Sequence, residues 1–85
     1  MYFVYIIKSQ IDSSFYIGYT KNINKRILDH NLGKSTYTKP KKPWILVYKE
    51  IFSDKTKAIK RERFLKKQKN KSLYEKLIRS GSSVG

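Results

Sequence analysis

The sequence predicts one small α+β domain, in which a three-stranded antiparallel sheet is flanked by helices in the order β-β-α-β-α-α. Aromatic and β-branched residues are concentrated in three short runs, which is typical of strands. Helix-capping residues and helical periodicity occupy the stretches between and after those runs. The 85 residues are enough for a single domain and leave no room for a second.

The first two runs predict a β-hairpin. Residues 2–7 read YFVYII and residues 15–19 read FYIGY, and the polar segment 9–14 between them is typical of a turn. Asn22 then favours an N-cap for a first helix over residues 23–32, which Gly33 ends.

A basic segment without acids, residues 33–43, predicts a loop that its two prolines hold extended. The third strand follows over residues 44–52. Ser53 and Asp54 can cap a long helix that continues to about Lys69, and residues 72–79 predict a shorter one. The domain is therefore expected to span residues 1–79, with 80–85 as a flexible tail.

The charge of the chain predicts a polyanionic partner. Lys and Arg number 20 against 6 Asp and Glu, which gives a formal net charge of +14. A hydrophobic share of 39% excludes a purely disordered basic tail. The absence of cysteine excludes a disulfide framework, a thiolate zinc site and a cysteine nucleophile, and His30 as the single histidine excludes multi-histidine metal sites.

The longest apolar run, residues 2–7, is far short of the roughly 20 residues that span a bilayer. Lys8 ends this run before the core of a signal peptide could form. We therefore expect a cytoplasmic protein with no membrane partner.

One carboxylate on the long helix is unusual in its position. Ala58, Glu62 and Leu65 have the spacing of one helix face, so Glu62 is expected to point toward the sheet. It is the only acid between residues 55 and 71 in a stretch rich in Lys and Arg. The alternative is that Glu62 simply neutralises a neighbour such as Lys66 or Lys55.

Two further pairs of residues could take part in catalysis or binding. Arg26 and His30 are four residues apart on the first helix, where they could grip one phosphate together or be an ordinary surface pair. Tyr5 and Tyr16 lie near positions that can pair across the hairpin, although amphipathic tyrosines also fill cores.

Together these positions resemble the GIY-YIG nucleases, in particular the small stand-alone bacterial members. Phe3-Val4-Tyr5 stands where the first motif reads Gly-Ile-Tyr, and Tyr16-Ile17-Gly18 matches the second motif. Residues 16–30 keep the family spacing to the arginine and the histidine, and residues 58–63 resemble the segment with the metal-binding glutamate. The likeness covers residues 2–79.

The resemblance implies a role for each matched position. Tyr5 and Tyr16 would lie on the side of the attacking water, and Arg26 would bind the scissile phosphate with the help of His30. Glu62 would hold one divalent ion, Mg²⁺ or Mn²⁺. Phe3 and Val4 replace Gly-Ile, and only the tyrosine of that motif carries chemistry. Lys69 stands where the family often has an asparagine, which makes the following residue, Asn70, the candidate for that role.

This chemistry makes demands on the matched residues. A single carboxylate is enough for Mg²⁺, which keeps several of its waters. A tyrosine with a pKa of about 10 becomes a general base only if a metal ion and basic side chains lower that pKa. We favour Tyr5 as the base, with Tyr16 as its partner. At Gly18 the missing Cβ would let the backbone approach a phosphate or the first helix.

The resulting prediction is a Mg²⁺-dependent endonuclease or nicking domain that acts on DNA with low intrinsic sequence specificity. Two alternatives stay open: a catalytically inactive module that binds RNA or DNA on the same scaffold, and a basic protein with an acidic protein partner. Steep loss of nucleic-acid affinity with salt would separate these two. The residues expected to contact nucleic acid are Gly18, Lys34, Lys39, Lys41, Lys42 and Asn70.

Overall fold

The computed structural model describes residues 1–80, although the side chain of Ser80 is not described. The strands are β1 (Tyr2–Ser9), β2 (Phe15–Thr20) and β3 (Trp44–Phe52), and the helices are α1 (Ile23–Asn31), α2 (Lys55–Gln68) and α3 (Lys71–Ser80). This order confirms the predicted α+β class and the β-β-α-β-α-α arrangement. Ser80 belongs to α3, and the remainder of the predicted tail, residues 81–85, lies outside the described residues.

The sheet has β1 at its centre, with β2 and β3 antiparallel on either side. In the hairpin, Tyr5 lies opposite Gly18 and Ile7 lies opposite Tyr16. Side chains two residues apart on a strand share a face, so this register places both tyrosines on the same side of the sheet.

Because β1 is central, both of its faces are buried. Val4 and Ile6 pack on one side in a core that includes residues of α2 and α3. Tyr5 and Ile7 pack on the other side with Ile23 of α1. Two-sided burial explains why β1 is a continuous apolar run without alternation.

The predicted helix ends are largely confirmed. The side chain of Asn22 accepts a hydrogen bond from the backbone N–H of Lys25 at 3.1 Å, and that of Asp54 accepts one from Thr56 at 3.1 Å. Gly33 follows α1 with a φ of +80°, a left-handed conformation that glycine adopts without strain. The long helix ends at residue 68, one residue earlier than predicted, because Lys69 is left-handed with a φ of 46°.

The segment between α1 and β3 is not the extended loop that the prolines predicted. It contains a 3₁₀ turn over Lys39–Lys41, with Pro40 in a first-turn position where no N–H is required. The side chain of Asn31 in α1 bonds both backbone groups of Trp44, which holds the end of the segment against α1. The Trp44 indole N–H donates to the carbonyl of Thr38 at 2.9 Å and closes the segment on itself.

Candidate active site

A buried hydrogen-bond chain connects β1, α1 and the segment before β3. The Tyr5 hydroxyl lies 3.0 Å from His30 Nε2, and His30 Nδ1 lies 2.7 Å from Thr38 Oγ1. The three residues are at most 1% exposed. A neutral imidazole donates from one nitrogen and accepts at the other, and the Thr38 hydroxyl can complete either arrangement. The chain therefore holds the Tyr5 hydroxyl in place in either tautomer.

The imidazole of His30 is neutral at physiological pH. Burial and the positive charge of Arg26 lower its pKa to about 4, against the opposing effect of Asp29. The expectation that Arg26 and His30 grip one phosphate together stays a prediction, and the full burial of His30 does not favour it. The buried, uncharged His30 supports Tyr5 from inside the protein, and Arg26 alone of the two is a cation.

The lowered pKa of His30 predicts that the stability of the fold depends on pH. Its pKa is near 6.5 when unfolded and about 4 when folded, so acid favours the unfolded chain. The contribution of His30 to the free energy of unfolding should be fully present above about pH 6.5. The free energy of unfolding should fall by about 2 kcal/mol between pH 7 and pH 5. Urea denaturation at these two pH values measures it. His30→Gln, which cannot titrate, should lose much less over this interval, and an equal loss in both proteins would contradict the assignment.

Gly18 makes room for the Tyr5 ring. A Cβ at this position would lie 2.5 Å from Tyr5 Oη and 2.8 Å from Cζ, which is too close without a shift of the ring. A cross-strand contact inside the site is thus one reason for this glycine, and the close backbone approach to a phosphate or to the first helix stays a prediction.

The cation of the site is Arg26. Burial opposes its charge, but hydrogen bonding and charge interactions with Tyr5 and Tyr16 outweigh that effect and raise its pKa. Its guanidinium thus belongs to the same cluster as the two motif tyrosines. The structure brings these three predicted residues together on one face of the sheet.

Tyr5 departs from one expectation. Burial raises its pKa to about 12; hydrogen bonding and charge interaction with Arg26 act to lower it, whereas Tyr16 and Glu62 add to the rise. The basic side chain of Arg26 is present, but its lowering effect on the Tyr5 pKa is smaller than the raising effect of burial. Tyr5 is a protonated phenol in the protein alone.

Glu62 lies at the edge of this cluster. It follows the buried Ala58 on α2, and its own side chain is 13% exposed, as the helical spacing predicted. The alternative contact is also present, because Lys66 Nζ lies 3.0 Å from Glu62 Oε2. The part of the chain that the structure describes contains no group of three or more His, Cys, Asp and Glu residues that could hold a metal. A lone carboxylate fits Mg²⁺ that keeps most of its water, and does not fit a fully enclosed ion.

Tyr16 connects the cluster to an open groove of about 740 Å³. The Tyr16 ring centroid lies 5.0 Å from that of His30 on the inner side and 5.6 Å from that of the exposed Tyr37 on the outer side. Aromatic rings and ammonium groups line the groove, including Tyr16, Tyr37, Lys41, Lys66, Lys69 and Lys71. Such a surface combines stacking platforms with charge for a phosphate backbone.

The predicted nucleic-acid contacts are distributed unevenly. Lys41 lies in the groove, where its ammonium pairs with Asp12 at 3.4 Å. Lys34 pairs with Asp29 at 3.5 Å. The side chain of Asn70 accepts a hydrogen bond from the backbone N–H of Leu73 at 3.3 Å, a cap at the start of α3. Lys39 and Lys42 are exposed outside the groove lining.

Two residues of the site were missed by sequence reasoning. Thr38 lies in a segment predicted as a solvated loop, and no pattern links it to His30. Tyr37 was one of several tyrosines in the chain, and nothing in the sequence singles it out. Both are placed by the return of their segment onto α1, which is a tertiary effect.

Comparison with known proteins bears on this constellation directly. Residues 1–76 match the family described as the GIY-YIG catalytic domain. The chain belongs to the GIY-YIG family. This family is of the nuclease type.

Relatives of this GIY-YIG domain are small proteins of similar length. A UPF0213 protein of Staphylococcus haemolyticus is 45% identical over 80 residues, covering 88% of this chain and 96% of its own. One from Staphylococcus epidermidis is 43% identical over 79 residues, covering 87% and 95%. The solution NMR structure of a UPF0213 protein from Bacillus halodurans superposes with a TM-score of 0.61 at 31% identity, covering 99% of this chain and 89% of the other.

Within residues 1–80, no helix of this GIY-YIG domain is both long and apolar enough to cross a bilayer.

Proposed function

We propose that this GIY-YIG domain is a metal-dependent phosphodiesterase, an endonuclease or nicking domain that acts on DNA with low intrinsic sequence specificity and uses one Mg²⁺ or Mn²⁺ ion. The observation that carries the proposal is the cluster of Tyr5, Tyr16 and Arg26 beside the Glu62 carboxylate, at the side of a groove lined by lysines and aromatic rings. Phosphodiester hydrolysis requires these groups: a cation for the phosphate, a proton acceptor for water and a carboxylate for a metal ion.

In this proposal the charged side chain of Arg26 binds the scissile phosphate. Its interaction with both motif tyrosines, which raises the pKa of the guanidinium, keeps this charge in the cluster before substrate arrives, so little reorganisation is needed when charge develops. His30 holds the Tyr5 hydroxyl from the interior, and Thr38 holds His30. The site is therefore built on two strands, one helix and one anchored segment.

Glu62 would hold the divalent ion, which when bound supplies positive charge beside the phosphate and the Tyr5 hydroxyl. The negative charge of Glu62 is one of the causes that raise the Tyr5 pKa, so a neutralised Glu62 would no longer oppose ionisation of this phenol. Arg26 already acts in the favourable direction. Tyr5 would thus take the proton of the attacking water only in the loaded site, with Tyr16 as its partner.

The nucleic acid would lie along the groove. Tyr16 lines the groove, and the groove lysines come from three places: the segment before β3, the end of α2 and the start of α3. Phosphate contacts of this kind fix the position of the strand and carry no sequence information, which supports low specificity. We also propose a cytoplasmic location, which the lack of cysteine fits.

The exposed basic segment should contribute several phosphate contacts. Replacing Lys39, Lys41 and Lys42 with alanine should reduce the slope of log affinity against log salt on duplex DNA by about two to three, at roughly 0.9 per phosphate. All sequences should weaken alike. Fluorescence anisotropy across a salt series measures the slope.

The matched control for this prediction removes the same charge elsewhere. Lys39 and Lys42 adjoin the groove residue Lys41 in their segment, whereas the exposed residues Lys55, Lys57 and Lys60 lie at the other end of α2 from the groove residue Lys66. Their triple alanine variant should change the slope less. A slope unchanged by the segment variant would mean that this segment faces away from the nucleic acid, and sequence-selective losses would mean that it reads bases.

A second candidate function is a catalytically inactive module that binds RNA or DNA. Two observations favour it: the Tyr5 phenol has a pKa of about 12 in the protein alone, and an ammonium already lies on the Glu62 carboxylate. Retention of every matched chemical position in one cluster weighs against it.

The deciding experiment incubates the purified protein with supercoiled plasmid, single-stranded DNA and a structured RNA, each with Mg²⁺, Mn²⁺ or EDTA. Metal-dependent nicking or cleavage of DNA supports the endonuclease. Tight, salt-sensitive binding without cleavage under any of these conditions supports the inactive module. Preparations of the Glu62→Gln variant, purified in parallel, control for contaminating nucleases.

A further inference from the structure

The ion pair at the candidate metal ligand is a loose one. Lys66 Nζ lies 3.0 Å from Oε2 of Glu62, and its side chain is 46% exposed whereas that of Glu62 is 13% exposed. A half-exposed lysine in an ion pair four residues apart on a helix contributes little stability, because solvent screens the charge and the long side chain loses freedom. Separating the Lys66 ammonium from the Glu62 carboxylate therefore requires little free energy.

The residue before Glu62 on the same helix, Arg61, makes a much firmer ion pair. Arg61 of α2 binds both oxygens of Glu50 on β3, each at 3.0 Å, and the Tyr48 hydroxyl donates to the same carboxylate. This bidentate pair is of the kind that fixes geometry. Arg61 thus anchors the helix to the sheet, whereas the ion pair of the neighbouring Glu62 stays within the helix.

The second position available to the Lys66 ammonium is the groove. Its Nζ lies 5.4 Å from the centroid of the Tyr16 ring, and the residue lines the groove beside Lys41, Lys69 and Lys71. A lysine ammonium is a compact charge on a flexible four-carbon stem, so a rotamer change moves it between a carboxylate and a nearby phosphate.

From these contacts we infer that Lys66 is an exchangeable counter-cation: its ammonium holds Glu62 until a divalent ion replaces it, and it then binds a phosphate of the nucleic acid in the groove. An ammonium and a divalent ion on one carboxylate oxygen repel each other strongly at such short separation. The exchange couples metal loading to the gain of a phosphate-binding charge. The inference rests on the proposed function, since it requires a metal on Glu62 and nucleic acid in the groove.

The first test measures metal binding without nucleic acid. Titration with Mn²⁺ followed by electron paramagnetic resonance compares Lys66→Met with Lys67→Met, which removes the same charge from an exposed neighbour on the helix. Lys66→Met should bind Mn²⁺ about three- to fivefold more tightly than the control, the gain expected when a weak ion pair no longer competes. Glu62→Gln should lose this Mn²⁺ site.

The second test measures the released ammonium on nucleic acid. Binding of a short fluorescein-labelled DNA in EDTA is measured for wild type, Lys66→Met, Glu62→Gln and the double variant. Lys66→Met should weaken binding about threefold or more in the Glu62→Gln background, where the ammonium is already free, and much less in the wild-type background.

The outcomes separate this inference from the proposed function. Equal Mn²⁺ affinity in Lys66→Met and Lys67→Met, or equal effects of Lys66→Met in both backgrounds, overturns the exchange and leaves the metal site standing. If neither the wild type nor Lys66→Met shows Mn²⁺ binding that depends on Glu62, both the metal site and the exchange are overturned. Tightened Mn²⁺ binding with non-additive DNA binding supports the exchange whether or not the plasmid is cleaved.

Discussion

Glu62→Gln is expected to abolish metal-dependent cleavage while nucleic-acid binding stays intact or becomes stronger. The glutamine keeps the size of the side chain but removes the charge that would hold a divalent ion. It also removes a negative charge from a strongly positive surface and frees the Lys66 ammonium, both of which favour a polyanion. Plasmid nicking rates in Mg²⁺ and DNA affinity in EDTA, measured on the same preparation, check the two halves of the prediction.

The matched control for this variant is Glu75→Gln. Glu75 is an exposed acid on α3 outside the groove lining, so the change in net charge is the same. Its cleavage rate should equal that of the wild type. If folded Glu62→Gln protein nicked plasmid as fast as this control, Glu62 would be an ordinary partner of Lys66 and the metal assignment would fail.

Arg26→Ala is expected to reduce the rate of the chemical step by about 100-fold or more. The guanidinium interacts with both motif tyrosines and would meet the phosphate as charge develops, so its loss acts on the transition state more than on binding. Single-turnover cleavage at saturating DNA measures the step, and anisotropy measures binding. Arg26→Lys keeps the charge without the planar fork and should recover only part of the rate.

Arg63→Ala is the control for this loss. Arg63 is exposed on α2, and its removal lowers the net charge equally. It should affect affinity through salt-sensitive binding and leave the saturated rate near that of wild type. A rate for Arg26→Ala close to that of Arg63→Ala would show that Arg26 acts only as one more surface cation.

The fold could be predicted because its determinants are local. Asn22 and Asp54 cap helices by bonding N–H groups two or three residues away, and the apolar runs define the strands without knowledge of their partners. The position of Glu62 on the inner face of its helix is equally local, since it follows from the helical period alone. The path of the segment before β3 could not be predicted, because the contact of Asn31 with Trp44 and that of Thr38 with His30 form only when distant parts of the chain meet.

The sequence by itself determined the elements, their order, the family and the net charge that favours a polyanionic partner. Only the tertiary structure decided how those positions act on one another. Burial makes His30 a neutral support and raises the pKa of Tyr5, because a charge inside the protein loses its hydration. The register that sets Gly18 against the Tyr5 ring, and the close approach of Lys66 to both Glu62 and Tyr16, likewise arise only when strand and helix are packed together.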